Sequence, residues 1–175
     1  MAEPCCGIEI LISDDSWLGC DAERITRHAA ETAFRTAIAT VADGAEPVFS
    51  IELASDERVA ILNAQYRGRT GPTDVLSFPA FAPDHIASAL GSAPAGMPLP
   101  LGDIIVAHGV AMRDATLEGK TLGDHLAHLI VHGTLHCLGF DHEIEEEAHI
   151  MEALERRVLA LLEIADPYKL REAAP

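Results

Sequence analysis

Three histidines, His132, His136 and His142, stand at relative positions 0, +4 and +10, with Gly139 at +7. On an α-helix, residues four apart lie one turn apart on the same face, so His132 and His136 project together. A glycine three residues further on can take the left-handed conformation that ends a helix. The reversal brings His142 back toward the pair. Three imidazoles around one point leave the fourth position of a single tetrahedral zinc ion open, the layout of a catalytic rather than a structural site. The chemistry on offer is metal-assisted hydrolysis. The donor set alone does not select the metal, because three imidazoles also suit nickel, copper or iron.

The same spacing occurs in the H-E-x-x-H-x-x-G-x-x-H pattern of metzincin peptidases, with one change: Gly133 stands where the peptidase has its general-base glutamate. The full stretch, HGTLHCLGFDH from His132 to His142, resembles the signature of the YbeY-type endoribonucleases, H-G-x-L-H-L-x-G-[YF]-D-H. It departs only at Cys137. Two further blocks of that family follow its order: LNAQYRGRTGPTDVLSFP from Leu62 to Pro79, and LGDI from Leu101 to Ile104. The likeness spans nearly the whole chain.

The resemblance implies a zinc-dependent, single-strand-specific endoribonuclease. Its implied substrate is precursor ribosomal RNA, matured at the 3′ end of the small subunit, with a role in ribosome quality control and contacts to small-subunit proteins. It also implies that Arg67 is the catalytic, phosphate-binding arginine. A planar guanidinium suits that task, since it pairs two phosphate oxygens and stabilises charge developing on them. Arg69 is its neighbour on the substrate side. Asp141, beside a ligand histidine, reads equally as a turn residue only or as the acceptor of the ring N–H that orients an imidazole. His128, one turn before His132, is read as a supporting or core residue rather than a fourth ligand. Without the glutamate, Asp141, His128 or the metal hydroxide itself is left for proton transfer. Ser77 and Asp103 need only strand-end structural roles. Two alternatives remain: a metallohydrolase of another class, such as a peptidase, and a non-catalytic ribosome-assembly module with a structural metal.

Composition sets limits. A chain of 175 residues reads as one domain, 1–175, able to bury a core without disulfide staples. No apolar run is long enough to span a membrane, and the N-terminal segment lacks the basic and apolar regions of a secretory signal, so a cytoplasmic location is expected. Cys5, Cys6, Cys20 and Cys137 show no C-x-x-C pairing. Cys137 lies about 100° round the helix from His136, which favours core packing over ligation. The net charge of −16 opposes general binding to nucleic acid. Locally, residues 58–73 carry three arginines and no acid, while acids crowd residues 141–155.

The elements that position these residues read as βαβαββααα. Strands are expected at 8–12 and 48–53, and helices at 22–41 and 56–66, the second capped by Ser55. Strands at 73–78 and 102–107 pair as antiparallel neighbours, separated by a long flexible excursion over 82–100. Helices follow at 109–117, 122–138 and 144–162, the last opening on the acidic run of Glu143 and Glu145 to Glu147. In the metal-bearing helix, His125, His128, His132 and His136 share about 80° of arc among apolar residues. That buried stripe demands partners or a metal. The fold class is α+β, one small mixed four-stranded sheet packed with helices around a central metal-binding helix.

Overall fold

The computed structural model describes residues 5–168. Four strands form one sheet: β1 Gly7–Ile12, β2 Glu46–Ala54, β3 Val75–Pro79 and β4 Pro98–Ala107. Their order is β1-β2-β4-β3. β1 and β4 both run parallel to β2, and β3 pairs antiparallel with β4 as its spacing implied. The sheet is therefore mixed, in the α+β arrangement expected.

Alternation along the strands divides the side chains between two faces. Phe49, Ile51 and Leu53 of β2, with Ile104 and Val106 of β4, join the larger core cluster. That face is covered by α1 (Ala22–Ala37) and α5 (Leu122–Cys137), with α6 (Glu145–Leu161) packed against both helices. Leu76, Ile105 and Ala107 belong to a smaller cluster with Val59, Leu62 and Val110. These last come from α2 (Asp56–Arg67) and α4 (His108–Leu117). Helix α5 touches α1, α4, α6, β3 and β4, which places it at the centre. No helix among the described residues is long and apolar enough to cross a membrane.

Several caps follow the sequence. The Ser55 hydroxyl accepts the Arg58 N–H at 3.3 Å, and that of Thr121 accepts the Asp124 N–H at 3.0 Å, each closing the first turn of its helix.

Two expectations need correction. Helix α1 stops at Ala37, four residues short, and Ile38 is already extended. Ile38 and Val41, both β-branched, turn instead toward the main core. Residues 82–100 are not a flexible excursion. They contain α3, Pro83–Ser92, which opens with proline in its first turn and buries Ile86 and Leu90 four residues apart. The Leu90 carbonyl accepts the Ala42 N–H at 2.9 Å, and Gly96 N–H reaches the Gly44 carbonyl at 2.8 Å. The segment after α1 and the α3 region thus hold each other. A short 3-10 helix, Asp15–Gly19, also escaped the sequence reading; it buries Trp17, whose Nε1–H donates to the Ala54 carbonyl at 3.1 Å.

Leu90 is 2 % exposed. Leu90→Ala is expected to lower unfolding free energy by about 2–5 kcal/mol in urea titration; a flexible segment would register no loss.

Candidate metal centre

Helix α5 ends in a hydrogen-bonding pattern that fixes the third histidine. Gly139 N–H donates to the His136 carbonyl at 3.0 Å and Phe140 N–H to the Leu135 carbonyl at 3.1 Å. These are the paired bonds of a Schellman motif, and Gly139 takes the left-handed conformation they require, with φ of 87°. A Cβ at Gly139 would also lie 2.9 Å from both Ile86 Cδ1 and Pro83 Cα. The first turn of α3 therefore buttresses the turn that returns His142 to the helix.

The three rings converge. Their centroids are 4.5 Å (His132–His136), 5.0 Å (His136–His142) and 5.5 Å (His132–His142) apart. One nitrogen from each lies within 4.8 Å of the others, so the group can hold a metal ion. The Nε2 atoms of His132 and His136 are 3.0 Å apart. For comparison, nitrogens at about 2.05 Å from a tetrahedral zinc stand about 3.3 Å from one another. The all-nitrogen donor set fits such an ion, and the His132–His136 pair stands near that spacing.

Burial keeps His136 neutral. His136 is pushed down to about 4, first by desolvation and then by the neighbouring His132 and His142. His125, nine-tenths buried further up α5, is also lowered, chiefly by burial. Neither of its ring nitrogens, nor Nδ1 of His128, has a hydrogen-bond partner among the described residues.

Gly133 explains the missing glutamate. A Cβ there would fall 2.9 Å from Ile104 Cγ2 and 3.1 Å from Ser77 Oγ. The helix lies so close to β3 and β4 that even alanine requires its neighbours to shift. A peptidase-type base has no space at this position.

The other residues singled out by sequence fall as follows. Arg67 and Arg69, at the cap of α2, are exposed and line the same cleft of about 1060 Å³ as the three histidines. Ser77 lines it too. Arg58 does not: its Nε pairs with Glu52 Oε1 at 3.2 Å, and it lines a separate groove with Asp103. The basic run is thus divided. Asp141 Oδ1 accepts the His142 N–H at 2.7 Å and stands 3.9 Å from His136 Nδ1, outside hydrogen-bond range. His128 Nε2 lies 3.8 Å from Glu155 Oε2. Cys137 is fully buried, and desolvation raises its thiol to about 12. It packs in the core as expected.

Sequence reasoning missed Glu155. It stands on α6 with Met151, Val158 and Leu159 as that helix's buried residues, and is 1 % exposed. Its Oε1 lies 2.7 Å from His132 Nδ1, and its Oε2 accepts the Tyr168 hydroxyl. Burial opposes its charge, but the neighbouring His128 and His132 rings and the Tyr168 hydroxyl outweigh that and hold the carboxyl well below the usual range. A glutamate in the apolar stripe of an amphipathic helix was the available signal.

A profile of the family described as Endoribonuclease YbeY matches residues 19–163. The chain belongs to the YbeY family. Relatives named Endoribonuclease YbeY include that of Azorhizobium caulinodans, 46 % identical over 165 residues, covering 93 % of this chain and 96 % of the relative. That of Maricaulis maris is 42 % identical over 170 residues, covering 96 % and 95 %. The solution structure of TM1509 from Thermotoga maritima shares the fold, with a TM-score of 0.51 at 24 % identity over 93 % of this chain and 99 % of that one. The YbeY name denotes an enzyme, a hydrolase of RNA phosphodiester bonds.

Because the unfolded chain protonates histidine near 6.5 and the folded chain protonates His136 only near 4, the unfolded state binds more protons between these values. The metal-free protein should lose stability steadily as pH falls through that window. His136→Asn should flatten part of the slope in urea midpoints measured across it.

Proposed function

We propose that this YbeY-family chain is a zinc-dependent endoribonuclease specific for single-stranded RNA. Its substrate on this reading is precursor ribosomal RNA near the small-subunit 3′ end, with a part in ribosome quality control. It would act in the cytoplasm, alongside small-subunit proteins. The observation that carries the reading is one cleft holding both the three converging imidazoles and two unpaired-charge arginines in a member of a family named for RNA cleavage.

His132, His136 and His142 would hold the ion, zinc by preference and nickel as a substitute. Bound there, it supplies a Lewis acid for a phosphoryl oxygen and lowers the pKa of water toward neutrality. Arg67 grips the scissile phosphate with its planar guanidinium and stabilises the charge that builds on its oxygens. Arg69 holds a neighbouring phosphate. Asp141, with its side chain 43 % exposed beside the cleft, is our assignment for proton transfer; His128 faces the Glu155 carboxylate instead. Crowding at Gly133 weighs against peptide hydrolysis, which depends on a carboxylate at that position.

With a net charge of −16, affinity for free RNA should be weak and should rest on few phosphate contacts. Two arginine contacts predict a slope of log affinity against log salt of roughly −1.4, at about 0.7 per phosphate for a single strand. A slope several times steeper would point to a larger basic surface.

The central test uses wild type, His136→Ala and Arg67→Ala, purified identically and assayed for metal content and single-stranded RNA cleavage. His136→Ala should lose both. Arg67→Ala should keep its metal while cleavage drops about 10²–10³-fold, the usual cost of removing one charge-stabilising donor. Cleavage by His136→Ala at the wild-type rate would sink the proposal.

A further inference from the structure

Glu155 occupies a position that hydrophobic packing does not explain. It lies on α6 among Met151, Val158 and Leu159, all at most 1 % exposed, and is itself as deeply buried. A carboxylate there is costly unless both oxygens are bonded. Both are: Oε1 is 2.7 Å from Nδ1 of His132, and Oε2 accepts the hydroxyl of Tyr168. An ionised carboxylate only accepts, so the proton between Glu155 and His132 sits on Nδ1. That leaves the lone pair of His132 on Nε2, the atom 3.0 Å from Nε2 of His136 and turned toward the shared centre. His136 has a backbone partner at Phe140 instead, and neither it nor His142 is hydrogen-bonded by a carboxylate among the described residues. Asp141, the residue beside them, is too far from His136 Nδ1 for a hydrogen bond and spends the same oxygen on the His142 N–H.

We propose that Glu155 is the positioning residue of the triad: by accepting Nδ1–H it fixes the tautomer and rotation of His132, so that Nε2 is presented to the metal. Tyr168 secures the carboxylate from its far side. The inference rests on the three histidines being the metal ligands. It makes α6 and the segment after it part of the binding site, although neither supplies a ligand. Carboxylates that orient a ligating imidazole raise its basicity and restrict its rotation, and their removal typically costs 10–100-fold in metal affinity.

The test takes metal-free wild type, Glu155→Ala, Glu155→Gln and, as a packing control from the same helix face, Val158→Ala. Cobalt and zinc binding are measured by calorimetry, the cobalt site by visible absorption, and the His132 tautomer by long-range nitrogen–proton NMR. Wild type should show His132 protonated on Nδ1. Glu155→Ala should bind 10–100-fold more weakly, with an altered cobalt spectrum and mixed tautomers. Glu155→Gln keeps an acceptor oxygen of the same reach and should recover most of the affinity; it also serves if the alanine variant does not fold. Val158→Ala should lose stability yet bind within about twofold of wild type, since it removes packing alone. A wild-type His132 protonated on Nε2, or folded Glu155→Ala with unchanged affinity, overturns the positioning role while leaving the triad intact. If wild type takes up neither metal, the triad reading itself falls, and this role with it.

Discussion

Placing a row of imidazoles on the innermost helix of a domain imposes a requirement that the rest of the structure must meet. A ring nitrogen in a low-dielectric interior needs a partner, and leaving one without costs about 1–3 kcal/mol. Helix α5 touches two strands and three helices, yet carries His125, His128, His132 and His136 along one side. The fold responds by opening a cleft along that side and lining it with Glu155, Asp141 and Glu118. The triad takes the lower end. His125 stays buried at the upper end, with both nitrogens unbonded among the described residues and its ring kept neutral by burial.

Close approach on the opposite side of α5 sets the chemistry as much as the histidines do. At Gly133 the helix rests against Ile104 and Ser77, which fixes the distance between the ligand helix and the sheet. The same contact removes the position from which a peptidase would deliver its base. On the proposed reading, proton transfer falls to a group other than a glutamate at that position. Stability and reaction type are linked here through a single missing side chain.

The charge distribution shows a similar economy. Acids outnumber bases by 28 to 12, so phosphate recognition cannot be a property of the whole surface. On the proposed reading it rests with Arg67 and Arg69, carried at the cap of α2, where the Asn63 side chain donates to the Gly71 carbonyl at 2.8 Å. Arg58, on the same helix, is neutralised by Glu52 and faces another groove. On that reading, an acidic body with two arginines in a single cleft would resist indiscriminate binding to RNA and leave contact to the place where the ion would sit.

Local spacing was enough to bring His132, His136 and His142 together, because helix periodicity and a glycine-terminated turn are properties of a few consecutive residues. Strand alternation, the Ser55 cap and the antiparallel pairing of β3 with β4 were legible for the same reason. Helix α3 was not: the glycines, prolines and serines of residues 82–100 resemble a loop, and only burial of Ile86 and Leu90 against the rest of the chain makes part of it a helix. Glu155 was hidden more deeply. Within α6 only its place in the apolar stripe sets it apart from the acids of the first turn, and its bond to His132 spans 23 residues. The residues that make up the triad are written in sequence; the groups that hold those residues in place are decided by which surfaces meet on folding, and spacing along the chain carries no record of that.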